Sequence, residues 1–292
     1  MNLKTALVLG RVSNLPTVWT NTLAGIVLSG AEFSPARALP ILLSMSLFYV
    51  GGMYLNDAFD AEVDARERSE RPIPQGLVKR QTVFVCGFAM LAAGIAILVP
   101  VGLSGATGWW PSLAGLALAA AIVLYDLHHK ANPLSPVIMG ICRMLVYVVA
   151  ALCFVVPPPA AVWFGAVALL CYLIGLTYTA KQETIGRVEN AWPLIFLAVP
   201  VVGGAWAGLA LDATGPSVIL FWLAFAGWLG FCLWLVGRRA PGDIPRAVGS
   251  LIAGIALLDA LLIAIMGDVP IAAIAVLGFL LTLAFQRFIA GT

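Results

Sequence analysis

Between Asn56 and Gly76 the chain reads NDAFDAEVDARERSERPIPQG, a charged island flanked on both sides by apolar sequence. Of the fourteen Asp and Glu residues in 292, six stand here: Asp57, Asp60, Glu62, Asp64, Glu67 and Glu70. Asp57, Asp60 and Asp64 are spaced i, i+3, i+7, with Asn56 four residues before Asp60. At 3.6 residues per turn this spacing predicts three carboxylates along one stripe of a helix. Such a row of hard oxygens suits Mg²⁺, which keeps several waters and is usually completed by substrate phosphates. Arg66, Arg68 and Arg71 follow and offer planar, bidentate donors to phosphate oxygens. Pro72 and Pro74 cannot continue a helix and turn the chain into a loop. The island thus reads as a metal and diphosphate site on the end of a membrane helix. A solvated loop whose arginines only set orientation would explain the arginines, but not aspartates at helical spacing.

The surroundings of the island supply the membrane. Hydrophobic residues make up 62% of the chain and charged residues 10%, far below the roughly one quarter of a soluble domain. A spanning helix needs about 20 mainly apolar residues. Ten such stretches are predicted, near 14–31, 38–56, 81–102, 109–126, 134–156, 160–178, 191–211, 215–236, 246–266 and 269–289. The first lacks the layout of a signal peptide, because Arg11, Ser13 and Asn14 interrupt its apolar run early. With ten spans both termini share a side. Fourteen of the sixteen Lys and Arg residues then fall on that side, against Arg37 on the other and Arg143 within a helix. That bias predicts cytoplasmic termini and an integral protein of a bacterial plasma membrane. Lipid permits helices or closed barrels, and there is no two-residue alternation. The expectation is one all-α, polytopic bundle over residues 1–292. The five cysteines all lie in predicted spans with no CxxC pair, so neither a disulfide framework nor a zinc site is indicated. Nothing points to a nucleic-acid partner.

The pattern NDxxDxxxD followed by RPxxxG, carried by Asn56, Asp57, Asp60, Asp64, Arg71, Pro72 and Gly76, resembles the first aspartate-rich motif of the UbiA superfamily of intramembrane prenyltransferases. The resemblance implies a bundle of about nine helices around a central cavity open to one face and laterally to lipid; the spans counted above number ten. It implies transfer of a prenyl group from a prenyl diphosphate to a lipophilic or aromatic acceptor, with Mg²⁺ on Asp57, Asp60 and Asp64 neutralising the leaving diphosphate. It also makes Asn14 a cavity residue, since the family's first helix contributes a polar side chain. The opening RVSNLPTVWTN resembles a divergent UbiA-like subgroup.

Further candidates lie along the chain. Asn14 and Asn21 share a helix face and either line the cavity or bond between helices. In LYDLHHKANPLSPVIMGICRM, the order Tyr125, Lys130, Gly140 resembles the family segment in which a basic residue approaches the diphosphate. Lys130 is read as a point charge at the departing oxygens, and Tyr125 as shielding a cation by its ring. Arg143 lies deep enough to need an anionic partner, either the diphosphate or Asp126. His128 and His129 read as interfacial or metal-binding.

The segment TYTAKQETIGRVENAWP departs from the family, which carries a second DxxxD motif there. This chain has no Asp in it and offers Lys181 and Glu183 as substrate-binding residues, with Glu183 a possible second metal ligand. Glu183 and Arg187, at i and i+4, equally fit a surface pair. The missing motif motivates an alternative from another class: a UbiA-like protein that binds or transports an isoprenoid or lipid without catalysis. Internal repeats of the transporter kind are not visible. A CDP-alcohol phosphotransferase pattern fails where Ala61 and Glu62 follow Asp60. Asp259, well inside the ninth span, is read either as functional or as hydrated from the outer surface.

Overall fold

The computed structural model describes residues 1–130, 132–182 and 190–289, and among these the regular elements are all helical. Leu3–Leu9 (α1) is a short N-terminal helix. Leu15–Leu28 (α2), Pro35–Glu67 (α3), Arg80–Ser104 (α4), Trp110–His128 (α5) and Ser135–Leu152 (α6) make the first half. Ala160–Lys181 (α7), Ala198–Ala210 (α8), Pro216–Arg238 (α9), Asp243–Ile265 (α10) and Val269–Phe285 (α11) complete the bundle.

Each of the ten predicted stretches falls on one of the helices α2 to α11. Among the described residues eight segments are long and apolar enough to cross a membrane; the stretch 191–211 enters as a 3-10 turn, Trp192–Leu197, that runs into α8. The first and last, α2 and α11, are shorter at 14 and 17 residues. The protein is an integral membrane protein.

At 33 residues α3 is about 50 Å long, against a hydrocarbon core of about 30 Å. The excess carries the acidic stretch beyond the apolar layer while keeping it helical as far as Glu67. Arg68 breaks the helical dihedrals, and Pro72 and Pro74 keep the following loop from resuming a helix. Gly76 closes that loop at φ +71°, a left-handed conformation that favours glycine.

Charged side chains tie adjacent helix ends together. Lys181 at the end of α7 donates to Ser135 Oγ at 2.9 Å and to the Asn132 carbonyl at 3.0 Å, pinning the loop between α5 and α6. Arg37, at the opposite end of the bundle, donates to the Cys153 carbonyl at 3.3 Å and lies over the Phe154 ring.

Helices α2 and α10 are the most enclosed; in α10 every residue from Leu251 to Ile265 is buried against its neighbours. Close contact of α2 with α6 depends on Gly25: a Cβ there would meet the Tyr147 carbonyl oxygen at 2.7 Å. Small residues permit such approach where lipid supplies no hydrophobic drive between helices. All five cysteines are free thiols, and Cys142, Cys153 and Cys232 are buried.

Candidate active site

A cavity of about 530 Å³ runs into the bundle from the charged end of α3. Its mouth is lined by Asn56, Asp60, Asp64, Arg68, Arg71 and Lys130, and its depth by apolar side chains such as Met45, Phe48, Leu118, Val146 and Ile255. The shape suits an amphiphile: a charged head at the mouth and a hydrocarbon tail below.

The acidic stripe is split between two sets of cations. At about 100° per residue, Asn56 and Asp60 lie toward one edge of the stripe and Asp64 and Asp57 toward the other. On the first edge, Asn56 donates to Asp126 of α5 at 3.1 Å, while Asp60 sits 3.2 Å from Lys130 Nζ and 3.3 Å from His129 Nε2. On the second, Arg71 reaches back from the loop to Asp57 at 2.7 Å and to Asp64 at 3.4 Å. Arg11, before α2, adds a bond to Asp57 at 3.2 Å and one to Asn56 at 3.3 Å. Burial and the nearby Arg11 charge push the Arg71 guanidinium below its ordinary value, against the pull of Asp57 and Asp64. Two arginines held this close make the mouth attractive to a multiply charged anion.

The structure brings together Asn56, Asp60, Asp64, Arg71, Tyr125, Lys130, Lys181, Asn14 and Arg143 as walls of this one cavity. Asp57 is not among the lining residues; its carboxylate is taken up by Arg71 and Arg11, which are. Asp57 was expected to act beside Asp60 and Asp64. Rotation alone does not account for this, since Asp64 stands only about 20° from Asp57 around the helix and lines the cavity; what distinguishes Asp57 is its close pairing with both Arg71 and Arg11. Tyr125 stacks on His129 with ring centroids 5.0 Å apart.

Of the two partners expected for Arg143, Asp126 is not the one it meets. Its Nη1 donates to Asn21 at 2.9 Å, whereas Asp126 is engaged by Asn56. Asn21 donates in turn to Asp259 at 2.9 Å, and Thr20 and Tyr147 donate to the same carboxylate. Asp259 is fully buried, so the reading of an aspartate hydrated from the outer surface does not hold. Asn14 accepts a bond from Gln286, the residue directly after α11, at 3.1 Å. Glu183, Arg187 and Glu189 lie outside the described residues.

Arg11, Tyr49, Thr20 and Tyr147 enter these networks without a motif to announce them, whereas Asp126 and His129 are sequence candidates that take other partners than those weighed for them.

The donor set fits a hard divalent cation in its chemistry. Asp60, Asp64 and Asp126 line the same cavity, and Asp126 Oδ2 is buried without a hydrogen-bond partner. Among the described residues no three acidic, His or Cys side chains converge on one point, since each cavity aspartate also meets a counter-group.

A membrane bundle with an acidic and basic mouth over an apolar tunnel defines a class that handles anionic amphiphiles. The profile of the UbiA prenyltransferase family matches residues 18–248, and the chain belongs to that family. It is 32% identical over 127 residues to a digeranylgeranylglyceryl phosphate synthase of Sulfolobus acidocaldarius, a match covering 43% of each chain. With the enzyme of the same name from Thermococcus gammatolerans it is 33% identical over 152 residues, 51% of this chain and 50% of the relative. The matches thus span half or less of those relatives' lengths. The fold is similar to a solved structure from work on digeranylgeranylglyceryl phosphate synthase in membranes (TM-score 0.65, 17% identity, 90% of this chain and 98% of that one). It is also similar to a UbiA homologue from Aeropyrum pernix (TM-score 0.63, 15% identity, 88% and 98%).

Proposed function

We propose that the protein transfers a prenyl group from a prenyl diphosphate to a lipophilic acceptor within the membrane. The observation that carries this reading is the cavity itself, in which Asp60, Asp64, Arg71 and Lys130 ring the mouth above an apolar interior. Asn56, Asp60, Asp64 and Asp126 would hold Mg²⁺, with Glu183 a further candidate ligand. When bound, the metal supplies neutralisation of diphosphate charge, so that the leaving group departs more readily.

The chain's own residues do the rest. Arg71 and Lys130 present charge-assisted donors to the departing oxygens, and Asp57 keeps Arg71 aimed from behind. Arg68 and Lys181 extend the positive rim. Tyr125 offers a ring face to positive charge developing on the allylic carbon. The apolar walls exclude water that would otherwise capture that carbon.

The relatives' name makes a prenylated glyceryl phosphate the first acceptor to test, and an aromatic acid the second. The charged end is the cytoplasmic one on the distribution of Lys and Arg. The relatives named above are archaeal, and the expectation of a bacterial membrane draws no support from them.

The test is product detection by mass spectrometry. Purified protein is incubated with geranylgeranyl diphosphate, Mg²⁺ and each acceptor in turn. A prenylated product, lost in Asp60→Asn, is expected; tight donor binding with no product from any acceptor would favour an isoprenoid-binding protein without catalysis.

A further inference from the structure

The cavity has a second basic pole that the transfer of charge at its mouth does not use. Arg143 follows Ser135 by two turns of α6, placing it roughly 12 Å deeper than the Ser135 and Lys181 pair at the mouth. A guanidinium at such depth is costly unless something answers its charge. Among the described residues no carboxylate stands within ion-pair distance of it; its hydrogen bond goes to Asn21, and it lies 5.4 Å from the Tyr49 ring centroid. That bond occupies one of five guanidinium donors, and the side chain lines the cavity.

Asn21 is fixed in the orientation this requires. Its amide nitrogen donates to both oxygens of Asp259, at 3.0 and 2.9 Å, which leaves its carbonyl oxygen to accept from Arg143. Asp259 is sealed from the cavity, and Thr20 and Tyr147 fill its remaining positions. The aspartate therefore supports the guanidinium from behind and does not compete for what binds in front. The mouth shows both signs of charge, as a metal-bridged diphosphate needs. Among the described residues the inner pole sets a cation against no carboxylate, in a cavity whose lining includes Val18, Met45, Phe48 and Val146.

We propose that Arg143, carried on the buried relay through Asn21 to Asp259, binds the oxyanion of the acceptor, a carboxylate or a phosphate, inside the bundle. Arg143 is then an acceptor-binding residue, and Asn21 and Asp259 are positioning residues. The inference rests on the prenyl-transfer reading and identifies a feature of its second substrate.

The experiment measures equilibrium binding to purified full-length protein in the presence of Mg²⁺ and geranylgeranyl thiodiphosphate, a donor analogue whose own affinity is recorded in parallel. Two probe pairs are compared: 4-hydroxybenzoate against 4-hydroxybenzamide, and geranylgeranylglyceryl phosphate against geranylgeranylglycerol. One anionic probe is expected to bind wild type about tenfold or more tighter than its neutral partner; the pair that does so identifies the source of the oxyanion. Arg143→Gln should erase that ratio and Asp259→Asn should shrink it, with donor-analogue affinity held within about twofold. A merely structural role would weaken both members of a pair alike. Should Arg143→Gln fail to fold, Arg143→Lys keeps the charge without the fork and should still lower the ratio at least threefold. No preference for either anion in wild type, or a ratio that survives substitution, overturns the proposal. Loss of donor-analogue binding by wild type would instead defeat the prenyl-transfer reading.

Discussion

Arg71 donates to Asp57 at 2.7 Å, folding the loop that follows α3 back onto the helix it has just left. Asp57 therefore serves the cation at the mouth, while Asp60 and Asp64 face the space where a ligand would lie. The two kinds of aspartate should be separable by experiment. Asp60→Asn is expected to raise the Mg²⁺ concentration for half-maximal pyrophosphate release by tenfold or more. Asp57→Asn should lower donor affinity and leave the metal titration within about threefold of wild type. Equal displacement of the metal titration in both variants would return Asp57 to the ligand set.

Arg71 itself bridges Asp57 and Asp64 through a single nitrogen, Nη1, which leaves Nε and Nη2 of the guanidinium to present a planar fork to an anion, a geometry an ammonium lacks. Arg71→Lys should weaken prenyl diphosphate binding at least fivefold despite the retained charge. Calorimetry with a non-transferable donor analogue reads this directly, and wild-type affinity in the lysine variant would remove Arg71 from the site.

Much of this was legible in the linear chain, for physical reasons. Ten apolar stretches lie on helices because lipid leaves a long apolar segment little alternative. Asn56 to Asp64 could be placed on one helix stripe because 3.6-residue spacing is a local property. Which edge of that stripe faces the ligand is not local: it depends on where Arg71, Arg11 and Lys130 arrive, and only packing decides that. The Asp259 network was out of reach for the same reason, since Thr20 and Tyr147 stand 239 and 112 residues away from the carboxylate they serve. Arg143 could be recognised as needing a partner, but Asn21 could not be recognised as the relay.

That buried network should carry stability as well as position. Asp259→Ala would leave the Asn21 amide and the Tyr147 hydroxyl without their acceptor in a site closed to water, while Thr20 keeps the Thr17 carbonyl at 3.1 Å, at a cost of about 2–5 kcal/mol. Asp259→Asn, which keeps the shape and part of the bonding, should cost less. Thermal unfolding in detergent orders the two variants, and equal melting points for wild type and Asp259→Ala would show that the network contributes nothing.

The glycine contact between α2 and α6 makes a steric prediction. In Gly25→Val the added carbons would press on the Tyr147 carbonyl, which a Cβ alone already meets at 2.7 Å. The bundle must part there, disturbing Tyr147 and Asn21 together. Loss of a monodisperse peak in size-exclusion chromatography is expected; a variant as stable as wild type would mean that the helices separate freely.

The most direct test of a metal-assisted prenyl diphosphate site at the mouth is calorimetric binding of geranylgeranyl thiodiphosphate to the purified protein, with Mg²⁺ and after its removal by chelation. Tight binding that needs Mg²⁺ and falls tenfold or more in Asp60→Asn, with the helical circular-dichroism spectrum unchanged, is the expected result. Affinity indifferent both to the metal and to Asp60 would contradict it.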